Sequence, residues 1–248
     1  MFIVVDGLDG IGKGAIVNEI AEFFKNKRIL DLHDYWVINN DHPDFVLGNN
    51  NMNHVPLDSF DIILSSEPTY VGIGSVVRDE ITAENAREYS AYFTASQFSA
   101  DREVLYKRVH IPALTAGKTI VQSRCVASSI VYQTMQGDDG SVSIDDILDF
   151  SGNKLALQYS PDLLIIPTIN NPEELMKRLE LRHKKDNSVF EKLEFQLKLK
   201  PFYESDFLRD VFESRSTKVM YLDASVSENY TREQARNIVN GFIEYYGK

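Results

Sequence analysis

"VVDGLDGIGKGAIV" (residues 4–17) is the stretch that decides the fold. It grows out of the apolar run "FIVVD" (2–6), which reads as a buried central strand. After it, Ile16, Ile20, Phe23 and Phe24 recur at i, i+4, i+7 and i+8, one face of a helix. Between strand and helix, Gly7, Gly12 and Lys13 occupy the fixed places of the pattern G-x-x-x-x-G-K-[ST]. Such a loop turns consecutive backbone N–H groups inward around a phosphate, and the helix start adds partial positive charge. Gly7, Gly10, Gly12, Lys13, Gly14 and Ala15 are therefore the expected cradle for nucleotide phosphates. The alternative is a ligand-free glycine-rich turn, which leaves Lys13 between two glycines with no packing purpose. One part is missing. The place of the hydroxyl that ligates Mg²⁺ is taken by Gly14, which removes a ligand and adds no helix stability.

Outward from this loop, short β-branched runs alternate with longer amphipathic stretches. That alternation predicts an α/β fold of βαβ units around a parallel sheet. Strands are expected in "RILDLHDY" (28–35), "FDIILSS" (60–66), "KTIVQS" (118–123), "PDLLIIPT" (161–168) and "KVMYLDAS" (218–225). Residues 84–116 read as helical, with Pro112 near the end. The last helix carries Ala235, Ile238, Val239, Phe242 and Tyr246 on one face. The Asn- and Asp-rich segment near 37–59 reads as a loop insertion, and the charged segment near 178–195 as a lid or an exposed helix. No internal repeat is present, and a single domain over 1–248 is expected.

Composition narrows the function. Hydrophobic residues make up 43% and charged residues 25%, ordinary for a globular protein. A single cysteine, Cys125, excludes an internal disulfide framework and points to a reducing, cytoplasmic setting. The opening "MFIVVDG" lacks a basic leader, and no run approaches the ~18 apolar residues of a membrane span. A net charge of −11 argues against a long nucleic-acid footprint, but a mononucleotide needs only a local group of cations.

Four later stretches join the loop in resembling the thymidylate kinases, a family of P-loop nucleoside monophosphate kinases. "GLDGIGKG" (7–14) carries Asp9 where that family has an aspartate. "SSEPTYVGIGSVVRDEI" (65–81) resembles R-E-P-G-G-T…G…R, with Glu67, Pro68, Gly74 and Arg78 in register. "FSADREVL" (98–105) matches F-[AS]-x-[DN]-R, and "IVQSRCVASSIVYQ" (120–133) is similar to I-x-D-R-Y-x-x-S-x-x-Y-Q. "RLELRHKKDNSVFEKLEFQLKLKPFYE" (178–204) looks like the family's lid and following helix. The resemblance implies a three-layer P-loop kinase fold, a homodimer, and transfer of a phosphoryl group from ATP with Mg²⁺ to a deoxynucleoside monophosphate, dTMP first.

Roles follow position by position. Lys13, Arg124, Asp9 and Arg182 are implied for catalysis, Arg124 as a clamp between two phosphates and Arg182 as the lid's cation. Phe98 is implied to stack on the base and Arg102, one helical turn on, to bond it. Without the family match, Phe98 reads as core and Arg102 as an exposed charge. Asp9, Glu67, Arg78, Ser129, Tyr132 and Gln133 complete the implied acceptor site; Tyr132 reads equally as sheet packing, Asp9 as a turn cap and Glu67 as a salt bridge. Asp6 and Glu67 are the carboxylates left to meet a metal through water. Cys125 reads as packing rather than nucleophile, and His33, His42 and His54 lack ligand-like spacing. The departures cluster: Ser66 replaces the expected arginine, Ser123 the expected aspartate and Gly14 the hydroxyl. They keep two alternatives open, a catalytically weakened nucleotide-binding or regulatory protein and a nucleoside kinase.

Overall fold

The computed structural model describes residues 1–45, 54–136, 142–170, 174–175, 178 and 193–246. Six strands run through it: β1 (Phe2–Val5), β2 (Ile29–Asp31), β3 (Ile62–Ser66), β4 (Thr119–Ser123), β5 (Leu163–Thr168) and β6 (Lys218–Asp223). They form one sheet in the order β2-β3-β4-β1-β5-β6, every pairing parallel. Successive strand residues point to opposite faces, and Phe2, Ile3, Val4 and Val5 are all buried. Both faces of the sheet are therefore covered at β1, as an unbroken apolar run requires. The edges are less protected: Ile29 on β2 and Tyr221 on β6 are exposed.

Strand register builds the site. Val5 pairs with Ser123, and Ser123 with Ser66, so the carboxyl ends of β1, β4 and β3 finish in one row. The next residues, Asp6, Arg124 and Glu67, leave that row side by side. Backbone bonds continue the ladder one step: Arg124 N–H donates to Val5 O at 2.8 Å and Glu67 N–H to Ser123 O at 3.0 Å. In open parallel sheets this end, beyond the carboxyl termini, is where ligands bind.

Five of the expected strands form at their predicted places, β1 and β3–β6. "RILDLHDY" is shorter than expected: only Ile29–Asp31 is strand, and Leu32–Asn39 is helix. The Asp31 side chain caps that helix by accepting from His33 N–H at 2.8 Å, which ends the strand. The supposed insertion therefore starts inside a helix, and its residues 46–53 lie outside the described ones. The helical stretch expected from 84 begins at Ala91, capped by Ser90. It runs to Leu105 and continues through a wider-pitched turn, Tyr106–His110, to Ile111–Thr115, which holds Pro112. The C-terminal helix Glu228–Tyr246 buries Ala235, Val239 and Phe242, but leaves Tyr246 exposed, its ring stacked on Phe242. It is tied to the loop helix Lys13–Phe23 through buried Glu19, which accepts from Arg236 Nε at 2.9 Å and lies 3.7 Å from Arg232. No helix among the described residues is long and apolar enough to cross a membrane.

Candidate active site

The phosphate loop needs its glycines. Gly12, directly before the helix Lys13–Phe23, has φ +97° and Gly10 has φ +78°, backbone that a side chain resists. Lys13 turns back over the loop. Its Nζ donates to Gly7 O at 3.0 Å and Leu8 O at 2.7 Å, and lies 3.6 Å from the Asp9 carboxylate. Arg124 meets the same carboxylate from β4: its Nη2 donates to Asp9 Oδ1, its Nη1 to Ser128 Oγ at 3.0 Å, and its guanidinium lies 5.3 Å from the Tyr132 ring centroid. Arg124 holds φ +67°, sparsely populated for a residue with a side chain. Tyr132 OH donates to Asp9 Oδ2 at 3.1 Å. Two cations and a phenol thus converge on one carboxylate, and burial with the nearby Asp9 charge pushes the Tyr132 hydroxyl well up.

Beneath this cluster sits Asp6, fully buried. Its Oδ1 accepts from Gly7 N–H (2.7 Å), Ser128 Oγ (2.7 Å) and Tyr203 OH (2.9 Å). Its Oδ2 accepts from the N–H groups of Cys125 (2.9 Å) and Ser128 (3.0 Å). These bonds fill the carboxylate and lock the chain just after Arg124, so Asp6 is a scaffold residue and has no oxygen left over for a metal.

Glu67 is likewise committed. Its Oε2 accepts from Arg102 Nε at 2.7 Å and its Oε1 from Gln122 Nε2 at 3.1 Å. Burial pushes its carboxyl up to about 7 against the pull of Arg102. Arg102 is only 1% exposed. Besides Glu67 it donates to Asn153 Oδ1, to Ser129 Oγ at 3.1 Å and to Cys125 O at 3.4 Å. Burial opposes its charge and Glu67 restores it. Neither an exposed charge nor an uncommitted base reader, Arg102 is the buried half of an ion pair, and Glu67 is the salt bridge that one reading of the sequence allowed. Arg78 turns to main chain, donating from Nε to Pro68 O at 2.9 Å and Thr69 O at 3.1 Å, with its guanidinium 3.9 Å from the Tyr70 ring centroid. Phe98 is half-buried on the Ala91–Leu105 helix. Ser129, Tyr132 and Gln133 are buried in one wider-pitched turn, Ser129–Gln133, a geometry often kept at functional sites. Gln133 Oε1 has no hydrogen-bond partner among the described residues. Arg182 and most of the lid segment lie outside the described residues.

A divalent metal finds a poor fit here. Gly14 offers no ligand, Asp6 is filled, Glu67 is buried and held by Arg102 and Gln122, and among the described residues no three His, Cys, Asp or Glu side chains gather as a metal set. A Cβ built at Gly14 meets nothing within 4 Å, so the missing hydroxyl leaves open space. Cys125 is buried and its thiol pushed well up by burial, in keeping with packing.

Sequence reading missed several residues. Asp101 accepts from Thr69 N–H at 2.8 Å and Thr69 Oγ1 at 2.6 Å. Thr69 then packs so close to Gly74 that a Cβ there would lie 2.3 Å from its Oγ1. Gln196 and Tyr203, on the helix Leu193–Tyr203, reach Asp9 and Asp6. A signal for Gln196 exists: with Leu199 and Tyr203 it forms an i, i+3, i+7 stripe, so the glutamine sits on a buried face.

Comparison with known proteins shows the family and the fold. The family model for thymidylate kinase matches residues 54–235. A probable thymidylate kinase of Thermococcus onnurineus is 29% identical over 212 residues, covering 82% of each chain. The thymidylate kinase of Ligilactobacillus salivarius is 25% identical over 98% of each chain, phosphate loop included. The solved thymidylate kinase of Candida albicans superposes with a TM-score of 0.61 at 18% identity, over 97% of this chain and 91% of that one, a likeness of fold. With a family match over most of its length, this chain belongs to the thymidylate kinase family.

Proposed function

We propose that this protein transfers the γ-phosphoryl group of ATP to dTMP, giving dTDP. The observation that carries the reading is the convergence of Lys13 and Arg124, both partly shielded from water, on the Asp9 carboxylate at the carboxyl end of the sheet. Phosphoryl transfer is chiefly positioning and neutralisation of charge on the moving group. In this reading the phosphates enter as anions that draw both cations off Asp9. Lys13 then lies along the ATP phosphates, and Arg124 bridges donor and acceptor. Phe98 stacks on the base, and the unpartnered Gln133 Oε1 accepts from its edge. Arg102 acts one layer down, holding Glu67 and Ser129 in place. The segment near 178–195 serves as the lid, with Arg182 as its cation.

ATP is taken to arrive with Mg²⁺. Because Gly14, Asp6 and Glu67 leave no protein ligand set, no step is assigned to the metal. A homodimer and a cytoplasmic location belong to the same reading, supported by the family resemblance and the single cysteine. A coupled assay with ATP, Mg²⁺ and a panel of nucleosides and monophosphates tests the proposal. Turnover is expected with dTMP and not with thymidine. No turnover above background with any monophosphate sinks it.

A further inference from the structure

Both ends of the Gln196 amide are hydrogen-bonded to one residue of the phosphate loop. Its Oε1 accepts from Asp9 N–H at 3.0 Å, and its Nε2 donates to Asp9 Oδ2 at 3.4 Å. The side chain is fully buried, and 187 residues separate the partners in sequence. At this reach a primary amide offers an acceptor and a donor side by side; an ionised carboxylate offers acceptors alone, and leucine neither. Asp9 needs such support. It precedes Gly10, whose φ of +78° is a left-handed conformation that puts a turn right after it, and its Oδ1 must stay aimed at Arg124. The far end of the same helix is fixed too, by Tyr203 OH on Asp6. The helix Leu193–Tyr203 is therefore bonded at both ends to the residues that shape the loop.

We infer that Gln196 is a positioning residue of the transfer site: it sets the main chain and carboxylate of Asp9, and through Asp9 the place of Arg124. The inference rests on the kinase reading for its kinetic consequences and on geometry alone for its structural ones.

The test is a double-mutant cycle with Gln196→Leu and Asp9→Asn, assayed with ATP and dTMP. Gln196→Leu should lower kcat/KM for the monophosphate by roughly tenfold, the scale of losing hydrogen bonds to a charged group. In the Asp9→Asn background the same change should cost about threefold or less, because the charge that aims Arg124 is gone while the Asp9 N–H bond to Gln196 remains. Gln196→Glu places two carboxylates together, so its activity relative to wild type should recover as the pH falls and one is protonated. A merely structural glutamine produces neither effect. Independently of any activity, amide exchange in the ligand-free protein should speed up at Asp9 in Gln196→Leu while Val4 and Val5 keep their protection. Additive losses in the cycle, or unchanged Asp9 exchange in a folded Gln196→Leu protein, overturn the inference. If wild type phosphorylates no monophosphate, the kinase reading falls, and the exchange result still decides the role of Gln196.

Discussion

Two arginines at the same end of the sheet have opposite surroundings. Arg124 follows β4 and is 19% exposed, its guanidinium against Asp9 and the face of Tyr132. Arg102 lies deeper on the Ala91–Leu105 helix, 1% exposed, with partners on every nitrogen. The first can exchange a carboxylate for an incoming phosphate while Asp9 keeps its hydrogen bonds from Tyr132 and Gln196. The second cannot move without abandoning Glu67 in the interior. A charge at a binding site must be held loosely enough to be given up, and a charge in the core must not be.

Breaking the buried pair should have the largest effect on stability. Arg102→Met strands Glu67 and should cost about 3–5 kcal/mol, read from denaturant unfolding; a loss under about 1 kcal/mol would mean that the pair is cement in appearance only. Lys13→Met should do the reverse. It should lower kcat by roughly 10²–10³-fold, as removal of one charge-stabilising donor does, and change unfolding by less than about 1 kcal/mol. Equal damage to fold and rate would erase the contrast between the two layers.

Acidity sharpens the comparison further. Burial holds His42 down to about 4 and His110 to about 3, so both stay neutral in the folded chain while the unfolded chain takes up protons below about 6.5. Their stability is present above that pH and is lost on acidification. Glu67 has the opposite sign: raised to about 7, it binds its proton more readily folded than unfolded and adds stability as the pH falls toward about 4.5. Between about pH 6.5 and 4.5 the wild type should lose stability with a net slope of roughly one proton, and Glu67→Gln with roughly two, each proton worth about 1.4 kcal/mol per pH unit. Identical slopes in urea titrations across that window would remove Glu67 from the account.

The smallest effect is expected at Gly14. Gly14→Thr enters open space and replaces a poor helix former, so stability should rise by less than about 1 kcal/mol. The new hydroxyl should tighten Mn²⁺ binding to the ATP complex by about threefold to tenfold, followed by electron paramagnetic resonance. Unchanged affinity would show that water already fills that place without loss.

Much of this was legible beforehand, for physical reasons. A glycine at φ +97° and a lysine next to it must be adjacent in sequence to wrap one phosphate, so the loop declares itself. Central strands are apolar on both faces and stand out; β2 was read too long, because its edge position leaves it short and half-covered. The row of Asp6, Glu67 and Arg124 could be listed but not allotted tasks. Whether a carboxylate awaits a metal or is already filled depends on which N–H groups surround it. Asp6 draws its donors from Gly7, Cys125, Ser128 and Tyr203, on segments far apart in the chain.

The sequence by itself determined the phosphate loop, the succession of strands, and the cations available to the loop. Local periodicity and backbone constraints act over a few residues, and a reader of the chain can apply them directly. Tertiary structure alone decided that Arg102 is sealed beside Glu67, that Asp6 is a scaffold, and that Asp9 is gripped by a glutamine 187 residues away. Those outcomes turn on burial and on hydrogen bonds whose partners meet only when the sheet assembles. One carboxylate can be a scaffold, a salt bridge or a ligand, and its surroundings choose among them.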